Sequence, residues 1–294
     1  MKTDIVTVLL VLFCGCASAQ DFKKHVVFLA SPNLHGRAPA SADERNAANY
    51  LKQQFIWAGC TSVAYQFFPF QNDSALNVIG MFDLQKDSTV IISAHYDHLG
   101  SGSEKSLEMP GKKGIYPGAD DNASGVALML ALVKAISDAD DWQYNFVFAA
   151  FSAHEAGLVG SDYFSKSTLC SDLKIRVVLN FDMVGRMDTT YPTLRISGAE
   201  TDTLFSRYFK SLPDGVIHFR YDDANITQSD LRSFAEKAIP VLNFSTGIHS
   251  DYHKMSDTED KINYRGMEMV FEFTHSLLQL FTVHKRQDCR LRNH

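Results

Sequence analysis

The feature that most constrains the fold is the regular alternation of short apolar runs with segments of helical periodicity. Runs such as STVIISA, IRVVLNF and PVLNFST are apolar almost throughout, as central strands covered on both faces would be. Segments of helical spacing, such as SGVALMLALVKAIS and SDLRSFAEKAI, lie between such runs, and RGMEMVFEFTHSLLQLF closes the chain. This order predicts an α/β fold with a mostly parallel central sheet and helices on both of its faces, in a single domain.

The N-terminus has the pattern of an export signal. Lys2 precedes an apolar run at residues 5–13, and small residues then lead to an A-x-A cleavage site at residues 17–19. The run is too short for a membrane span, which needs about 20 apolar residues. We expect cleavage before Gln20 and a periplasmic or secreted protein, with a lipid anchor at Cys16 as the alternative. Residues 20–74 are predicted to be a helical segment that leads into a core at residues 75–294.

Charge and cysteine content narrow the choice of partners. The chain of 294 residues has a formal net charge of −6 and no basic block, so we do not expect a nucleic-acid partner. Cys60, Cys170 and Cys289 remain after cleavage, and none has the spacing of a metal site. One disulfide could form in an exported protein, but the sequence does not identify the pair. It does not determine the oligomeric state either.

Polar side chains follow the apolar strands at several places. Because the ligand site of a parallel sheet lies beyond the carboxyl ends of its strands, these side chains are the candidates for function. They are His95, Asp97 and His98 in SAHYDHLG, Asp120 and Asp121 in GADDNASG, His154 and Glu155 in FSAHEAGLVGS, Asp182 in LNFDMVG, and His249, Asp251, Tyr252 and His253 in TGIHSDYHKMSDT. We interpret His98 and His249 as surface residues, and a single Asp before a helix could be only a cap.

Taken together, these groups favour a metal site. Several like charges that converge on one small region would repel one another and lose hydration, and a bound divalent cation removes that cost. Histidine combined with carboxylate, without cysteine, suits zinc in a catalytic site rather than in a closed structural one. Two imidazoles and three carboxylates are enough for two ions that share one bridging carboxylate.

The same segments, in the same order from about residue 75 to residue 281, resemble the zinc-dependent aminopeptidase family that includes the bacterial leucyl aminopeptidases. Glutaminyl cyclases and glutamate carboxypeptidases are related to that family. The segment LASPNLHGRAPA also resembles the region that precedes the core in many members. The resemblance implies a zinc-peptidase fold and an exported metallo-aminopeptidase that removes N-terminal residues from peptides.

The resemblance also implies a role for each matching residue. One zinc ion would be held by His95 and Asp182, the other by Glu155 and His253, and Asp121 would bridge the two. The peptide bond that follows the bridging residue would be cis, as it often is in the family.

Two further residues would support this site. Asp97 lies two residues beyond His95 and would orient its imidazole. Tyr252 matches a residue that would hydrogen-bond the developing oxyanion.

The chain departs from the family at His154, where members carry an acidic residue that acts as the general base. An imidazole can do this work, because its reference pKa is about 6.5 and two nearby cations would keep the ring neutral. We therefore expect His154 to be a working but weakened base and not a metal ligand. The alternatives are a metal-binding role for His154, a glutaminyl cyclase with a single zinc ion, and a non-catalytic binding protein.

Overall fold

The structure, a computed structural model, describes residues 19–211 and 217–292. The predicted signal segment up to residue 18, with Cys16, lies outside the described residues, so its processing stays a prediction. Within the described ranges, no helix has the length and apolar character needed to cross a membrane.

Cys60 and Cys170 are both free thiols, so the possible disulfide does not join these two residues.

The described strands form one mixed sheet in the order β1-β2-β4-β3-β5-β8-β6-β7. Their bounds are β1 Ser62–Phe70, β2 Asp73–Phe82, β3 Thr89–His95, β4 Asn145–Phe151, β5 Ile175–Phe181, β6 Thr193–Ser197, β7 His218–Tyr221 and β8 Val241–Ser245. The four central strands β4, β3, β5 and β8 are mutually parallel, whereas β2 and β6 join them on either side in antiparallel pairs. The predicted α/β class, with a parallel centre, is confirmed.

Helices cover the sheet on both faces, as predicted. Their bounds are α1 Ala19–Leu29, α2 Ala42–Trp57, α3 Gly125–Ser137, α4 Val159–Lys166, α5 Thr168–Ser171, α6 Thr203–Ser211, α7 Arg232–Ala235 and α8 Tyr264–Arg292. Successive side chains of β3 point to opposite faces: Val90 and Ile92 pack in the larger apolar cluster, with α3 and α8. Ile91 packs in the smaller cluster, with Phe164 of α4 and Phe234 of α7.

Two elements differ from the sequence-based expectation. The segment predicted to be helical before the core contains β1, an edge strand whose side chains are mostly exposed and which therefore lacks the apolar run of a central strand. The run SDLRSFAEKAI gives only the four-residue helix α7. Ala238 adopts a left-handed backbone, and the Ile239 N–H returns to the Phe234 carbonyl, which closes the helix early.

Candidate metal centre

The carboxyl ends of the parallel strands bring the five predicted metal ligands together at one edge of the sheet. The residues come from five different segments: His95 ends β3, Asp121 lies in the π-helical turn Ala119–Ser124, Glu155 follows β4, Asp182 follows β5, and His253 lies beyond β8. Four of them are buried, with less than a tenth of the residue exposed, and Asp182 is half-buried. The five residues are far apart in the sequence, and the folding of the parallel sheet brings them together.

The donor atoms form two sets on the two sides of Asp121. On one side, His95 Nε2 lies 3.3 Å from Asp121 Oδ1 and 3.6 Å from Asp182 Oδ1. On the other side, His253 Nε2 lies 3.2 Å from Asp121 Oδ2 and 3.2 Å from Glu155 Oε1. Each oxygen of the Asp121 carboxylate therefore faces a different set, as a bridging carboxylate would.

The geometry fits two bound cations. His95 Nε2, Asp121 Oδ2, Glu155 Oε1 and His253 Nε2 are buried, and none has a hydrogen-bond partner among the described residues. Buried polar atoms are nearly always satisfied, so four such atoms in one place call for a ligand. Donor atoms around a tetrahedral zinc ion at 2.0–2.1 Å lie about 3.3 Å from one another, which is close to the separations seen here.

The carboxylates and imidazoles of the site shift one another's pKa values. Burial raises the pKa of Asp121, but His253 and His95 outweigh it and hold this pKa well below its usual value. Burial lowers the pKa of His253, but Asp121 and Glu155 outweigh it and raise this pKa to about 10. Metal ions would compete with protons for these imidazoles, so metal affinity is expected to fall with falling pH.

The backbone around Asp121 is held by groups from other loops. Asp257 Oδ2 accepts the backbone N–H groups of both Asp120 and Asp121, at 2.9 and 3.0 Å. Asn122 Nδ2 donates to the carbonyl of Phe181 at the end of β5, at 2.8 Å. The peptide bond between Asp121 and Asn122 is cis, which confirms the expectation from the family resemblance. The role of Asp257 was not evident from the sequence, where its segment SDTED reads as an ordinary polar turn.

Three non-glycine residues with a left-handed backbone lie in the loops of the site. They are Ala153, with φ 56°, Met183, with φ 59°, and His253, with φ 53°. This conformation costs an L-residue about 1–2 kcal/mol, and such residues concentrate at functional sites. Ala153 immediately precedes His154, and Met183 immediately follows Asp182, so the strained turns set the direction of the candidate side chains.

Asp97 connects the loop after β3 to the loop after β4. Its carboxylate accepts the backbone N–H groups of His154 and Glu155, at 3.1 and 3.3 Å, and lies 3.6 Å from His95 Nδ1. The His95 Nδ1 atom is also 3.3 Å from the Asp97 carbonyl, which leaves Nε2 directed at the donor set. Asp97 thus lies where it can orient His95, and it also anchors the turn that carries Glu155.

His154 is paired with a carboxylate that the sequence analysis did not single out. The His154 Nδ1 atom lies 3.0 Å from Oδ2 of Asp230, which is fully buried. Burial, the largest influence, lowers the pKa of His154, as does His95, but Asp230 outweighs both and raises this pKa to about 9. The two residues are 76 positions apart, and Asp230 is the second residue of the run SDLRSFAEKAI, which predicts a helix and not a site residue. No local pattern could have joined them.

The stacking of His154 on His95 decides whether both rings can bind one ion. The ring centroids are 3.8 Å apart, and the ring planes differ by only 9°. A ring nitrogen of His154 does lie within 4.8 Å of donor atoms of His95 and Asp182. An imidazole binds a metal along a lone pair in its own plane, however, and two stacked parallel planes do not meet at a bonding distance of about 2.0 Å. His154 therefore cannot share an ion with His95 in this arrangement.

The interpretation of His98 and His249 as surface residues is wrong. The His98 side chain is fully buried, and its Nδ1 lies 3.2 Å from Glu155 Oε1. His249 is only 14% exposed in its side chain, and its Nε2 lies 3.1 Å from Oδ2 of the buried Asp120. Both histidines lie just beyond strand ends, and their partners Glu155 and Asp120 come from other loops, so their surroundings are set by distant segments.

Asp120 and Tyr252 flank the donor sets. Asp120 Oδ1 accepts the Gly185 N–H, at 2.6 Å, and the Ser124 hydroxyl, at 2.9 Å, so Asp120 links two loops. The Tyr252 ring stacks on His253, with centroids 3.8 Å apart. Burial and the nearby carboxylates raise the pKa of Tyr252, which keeps its hydroxyl protonated.

The sequence model of peptidase family M28 matches residues 77–278, which span every donor described above. The chain belongs to peptidase family M28. Among curated relatives, the uncharacterized protein YfbL of Escherichia coli is 24% identical over 293 residues, covering 89% of this M28 chain and 88% of YfbL. Aminopeptidase YwaD of Bacillus subtilis is 26% identical over 257 residues, covering 82% of this chain and 51% of YwaD. The chain thus spans about half the length of that aminopeptidase.

Solved structures share the fold of this M28 chain. The LapA aminopeptidase of Legionella pneumophila superposes with a TM-score of 0.72 at 21% identity, covering 87% of this chain and 69% of LapA. The glutaminyl cyclase of Tannerella forsythia superposes with a TM-score of 0.71 at 18% identity, covering 89% of this chain and 98% of the cyclase. One fold therefore carries both chemistries among these neighbours.

Proposed function

We propose that this M28 chain is an exported aminopeptidase that uses two zinc ions to remove N-terminal residues from peptides. The observation that carries the proposal is the placement of two donor sets on the two oxygens of a single buried carboxylate, that of Asp121. The export signal pattern at residues 1–19 supports the proposed location. The aminopeptidases YwaD and LapA support the reaction class.

Each ion has its own protein donors in this proposal. His95, Asp121 and Asp182 would hold the first ion, and Asp121, Glu155 and His253 would hold the second. When bound, the two ions would polarise the peptide carbonyl and make water a stronger nucleophile at neutral pH. Three carboxylates would offset three of the four positive charges, so the site would tolerate a neutral base.

His154 would be that base. Its Nδ1 proton would stay on the ring, donated to Asp230 Oδ2 across the 3.0 Å contact, and the lone pair would lie on Nε2. Nε2 would take a proton from the attacking water and pass it to the leaving amine. The stack on His95 holds the ring beside the first donor set, and the contact with Asp230 fixes the direction of its nitrogens.

Tyr252 would stabilise the charge that develops on the carbonyl oxygen. Its hydroxyl stays protonated because burial and the surrounding carboxylates raise its pKa, so it can donate a hydrogen bond. The ring is fixed by its stack on His253.

A glutaminyl cyclase is the alternative within the same fold. The solved cyclase of Tannerella forsythia is matched over 98% of its length, whereas YwaD is matched over 51%. Such an enzyme would use one zinc ion, whereas the donors here form two sets. A non-catalytic binding protein would need none of the donor atoms that the chain retains.

Metal analysis of the purified protein, combined with a substrate panel, tests the proposal. We expect two equivalents of zinc, hydrolysis of aminoacyl p-nitroanilides and release of free N-terminal residues from short peptides. One equivalent of zinc, with cyclisation of N-terminal glutamine and no hydrolysis, would support the cyclase. Two equivalents without turnover of either substrate class would support the binding protein.

A further inference from the structure

His98 is a buried histidine outside the five predicted ligands. It lies three residues beyond the end of β3, and its backbone N–H donates to the Arg37 carbonyl at 3.2 Å. Its ring packs directly on the backbone of Gly118, where a Cβ atom would come within 2.6 Å of two ring atoms. The position of the His98 ring is therefore fixed by its contact with the backbone of Gly118.

The ring nitrogens of His98 are not satisfied by the protein. Nδ1 and Nε2 are both buried and have no hydrogen-bond partner among residues 19–211 and 217–292. The nearest acidic oxygens are Glu155 Oε1, 3.2 Å from Nδ1, and Asp121 Oδ2, 3.9 Å from Nδ1. Glu155 Oε1 likewise has no hydrogen-bond partner among the described residues. The donor atoms of His98, Asp121 and Glu155 lie within 4.8 Å of one another.

The orientation of the rings permits His98 and His253 to share an ion. Their centroids are 5.9 Å apart and their planes cross at 70°. The parallel stacking that prevents a shared ion between His95 and His154 is therefore absent here. Both His98 Nδ1 and His253 Nε2 lie 3.2 Å from the same oxygen, Glu155 Oε1. That spacing is close to the edge of a zinc tetrahedron, about 3.3 Å.

We propose that His98 binds the second ion through Nδ1, as a fourth protein ligand beside Asp121, Glu155 and His253. The inference rests on the proposed function, because it assumes that the second donor set holds a metal. It makes the two ions unequal: the second has four protein donors, which is typical of a closed zinc site. The first has three, from His95, Asp121 and Asp182, and keeps an open position for substrate beside His154.

Cobalt spectroscopy tests this assignment. Metal-free protein would be refilled with two equivalents of Co²⁺, and the near-ultraviolet spectrum of His98→Cys compared with that of the wild type. A thiolate that binds cobalt gives a charge-transfer band, so His98→Cys should gain the band. His253→Cys is the positive control and His218→Cys, at an exposed position on β7, is the negative control. A folded His98→Cys without the band, when His253→Cys has it, would overturn the assignment.

Zinc affinity gives a second readout. Competition with a chelator should show that His98→Ala weakens one of the two equivalents by more than about 100-fold, the upper range for loss of an outer-shell partner. A smaller loss would mean that His98 only orients Glu155 and would overturn the ligand role. If the variants fail to fold, ¹¹³Cd–¹⁵N couplings can be measured in ¹⁵N-labelled wild-type protein loaded with cadmium. Three histidines coupled to cadmium would support the inference, and two would contradict it. A wild type that binds fewer than two equivalents refutes the proposed function itself.

Discussion

Replacing Asp230 by asparagine tests how His154 works as a base. Asp230→Asn keeps the size of the side chain and removes the charge that faces His154 Nδ1 at 3.0 Å. Asp230 favours the protonated imidazole, because it raises the pKa of His154 to about 9 against the effects of burial and His95. Without the charge, the pKa of His154 must fall. Since activity requires the neutral ring, the acid limb of the pH–rate profile should move to lower pH.

The size of this shift follows from the geometry. An opposite charge within hydrogen-bonding distance moves a pKa by about 1–3 units, which corresponds to about 1.4–4 kcal/mol. Bound metal ions lower the pKa of His154 in both proteins, so the difference between the two profiles is the quantity to measure. The rate on the plateau should also fall, because a weaker base accepts the proton less readily, but by no more than the roughly 10²–10⁴-fold that a general base contributes.

The assay is kcat/KM for an aminoacyl p-nitroanilide between pH 4.5 and 9, at saturating zinc, for four proteins: wild type, Asp230→Asn, His154→Ala and the double variant. If Asp230 acts through His154, the Asp230→Asn change should have little effect in the His154→Ala background. Zinc content should stay at the wild-type level in all four, because neither residue belongs to a donor set. If the acid limb of the Asp230→Asn profile does not move, the catalytic role of the Asp230–His154 pair is refuted. The same holds if Asp230→Asn lowers the rate equally in the wild-type and His154→Ala backgrounds.

Three further predictions follow from the site and its surroundings. Asp121→Ala should abolish binding of both zinc ions, whereas the exposed Asp188→Asn should bind two; a variant of Asp121 that still binds two equivalents would contradict the bridging assignment. His154→Ala should lower hydrolysis by roughly 10²–10⁴-fold with zinc content unchanged, while His154→Glu should hold or raise activity and the exposed His218→Ala should match the wild type; equal rates for His154→Ala and wild type would show that His154 is not the base. Burial raises the pKa of Glu44 in α2 from 4.5 to about 7, so its contribution to stability is complete below about pH 4.5 and is lost as the pH rises to about 7. The free energy of unfolding of the wild type relative to Glu44→Gln should therefore fall across that window by up to roughly 3 kcal/mol in denaturant titrations, and a difference independent of pH would contradict the assignment.

The features of the fold and of the site that could be predicted are those that depend on local sequence patterns. Apolar runs followed by polar residues identified the central strands, and a parallel sheet necessarily collects the ends of such strands at one edge. That is why His95, Glu155 and Asp182 are expected at one edge of the sheet, whereas the bridging role of Asp121 is implied by the family resemblance. The edge strand β1 was not predicted, because its side chains are mostly exposed and its sequence therefore has no apolar run.

The rest of the site depends on contacts that no local pattern encodes. Asp230 reaches His154 across 76 positions of sequence. His98 and His249 follow strand ends in polar segments, and their burial is decided by loops from other strands. The departure at His154 was visible in the sequence, but its carboxylate partner, and the stack on His95 that prevents a shared ion, required the three-dimensional arrangement.

A zinc titration of metal-free protein, with hydrolysis of an aminoacyl p-nitroanilide followed at each addition, tests whether two metal ions held by the two oxygens of Asp121 support hydrolysis with a histidine as the base. We expect two tight equivalents, with activity that depends on zinc and reaches its maximum by the second. Saturation at a single equivalent, or two bound equivalents with no hydrolysis in either the wild type or His154→Glu, would contradict it.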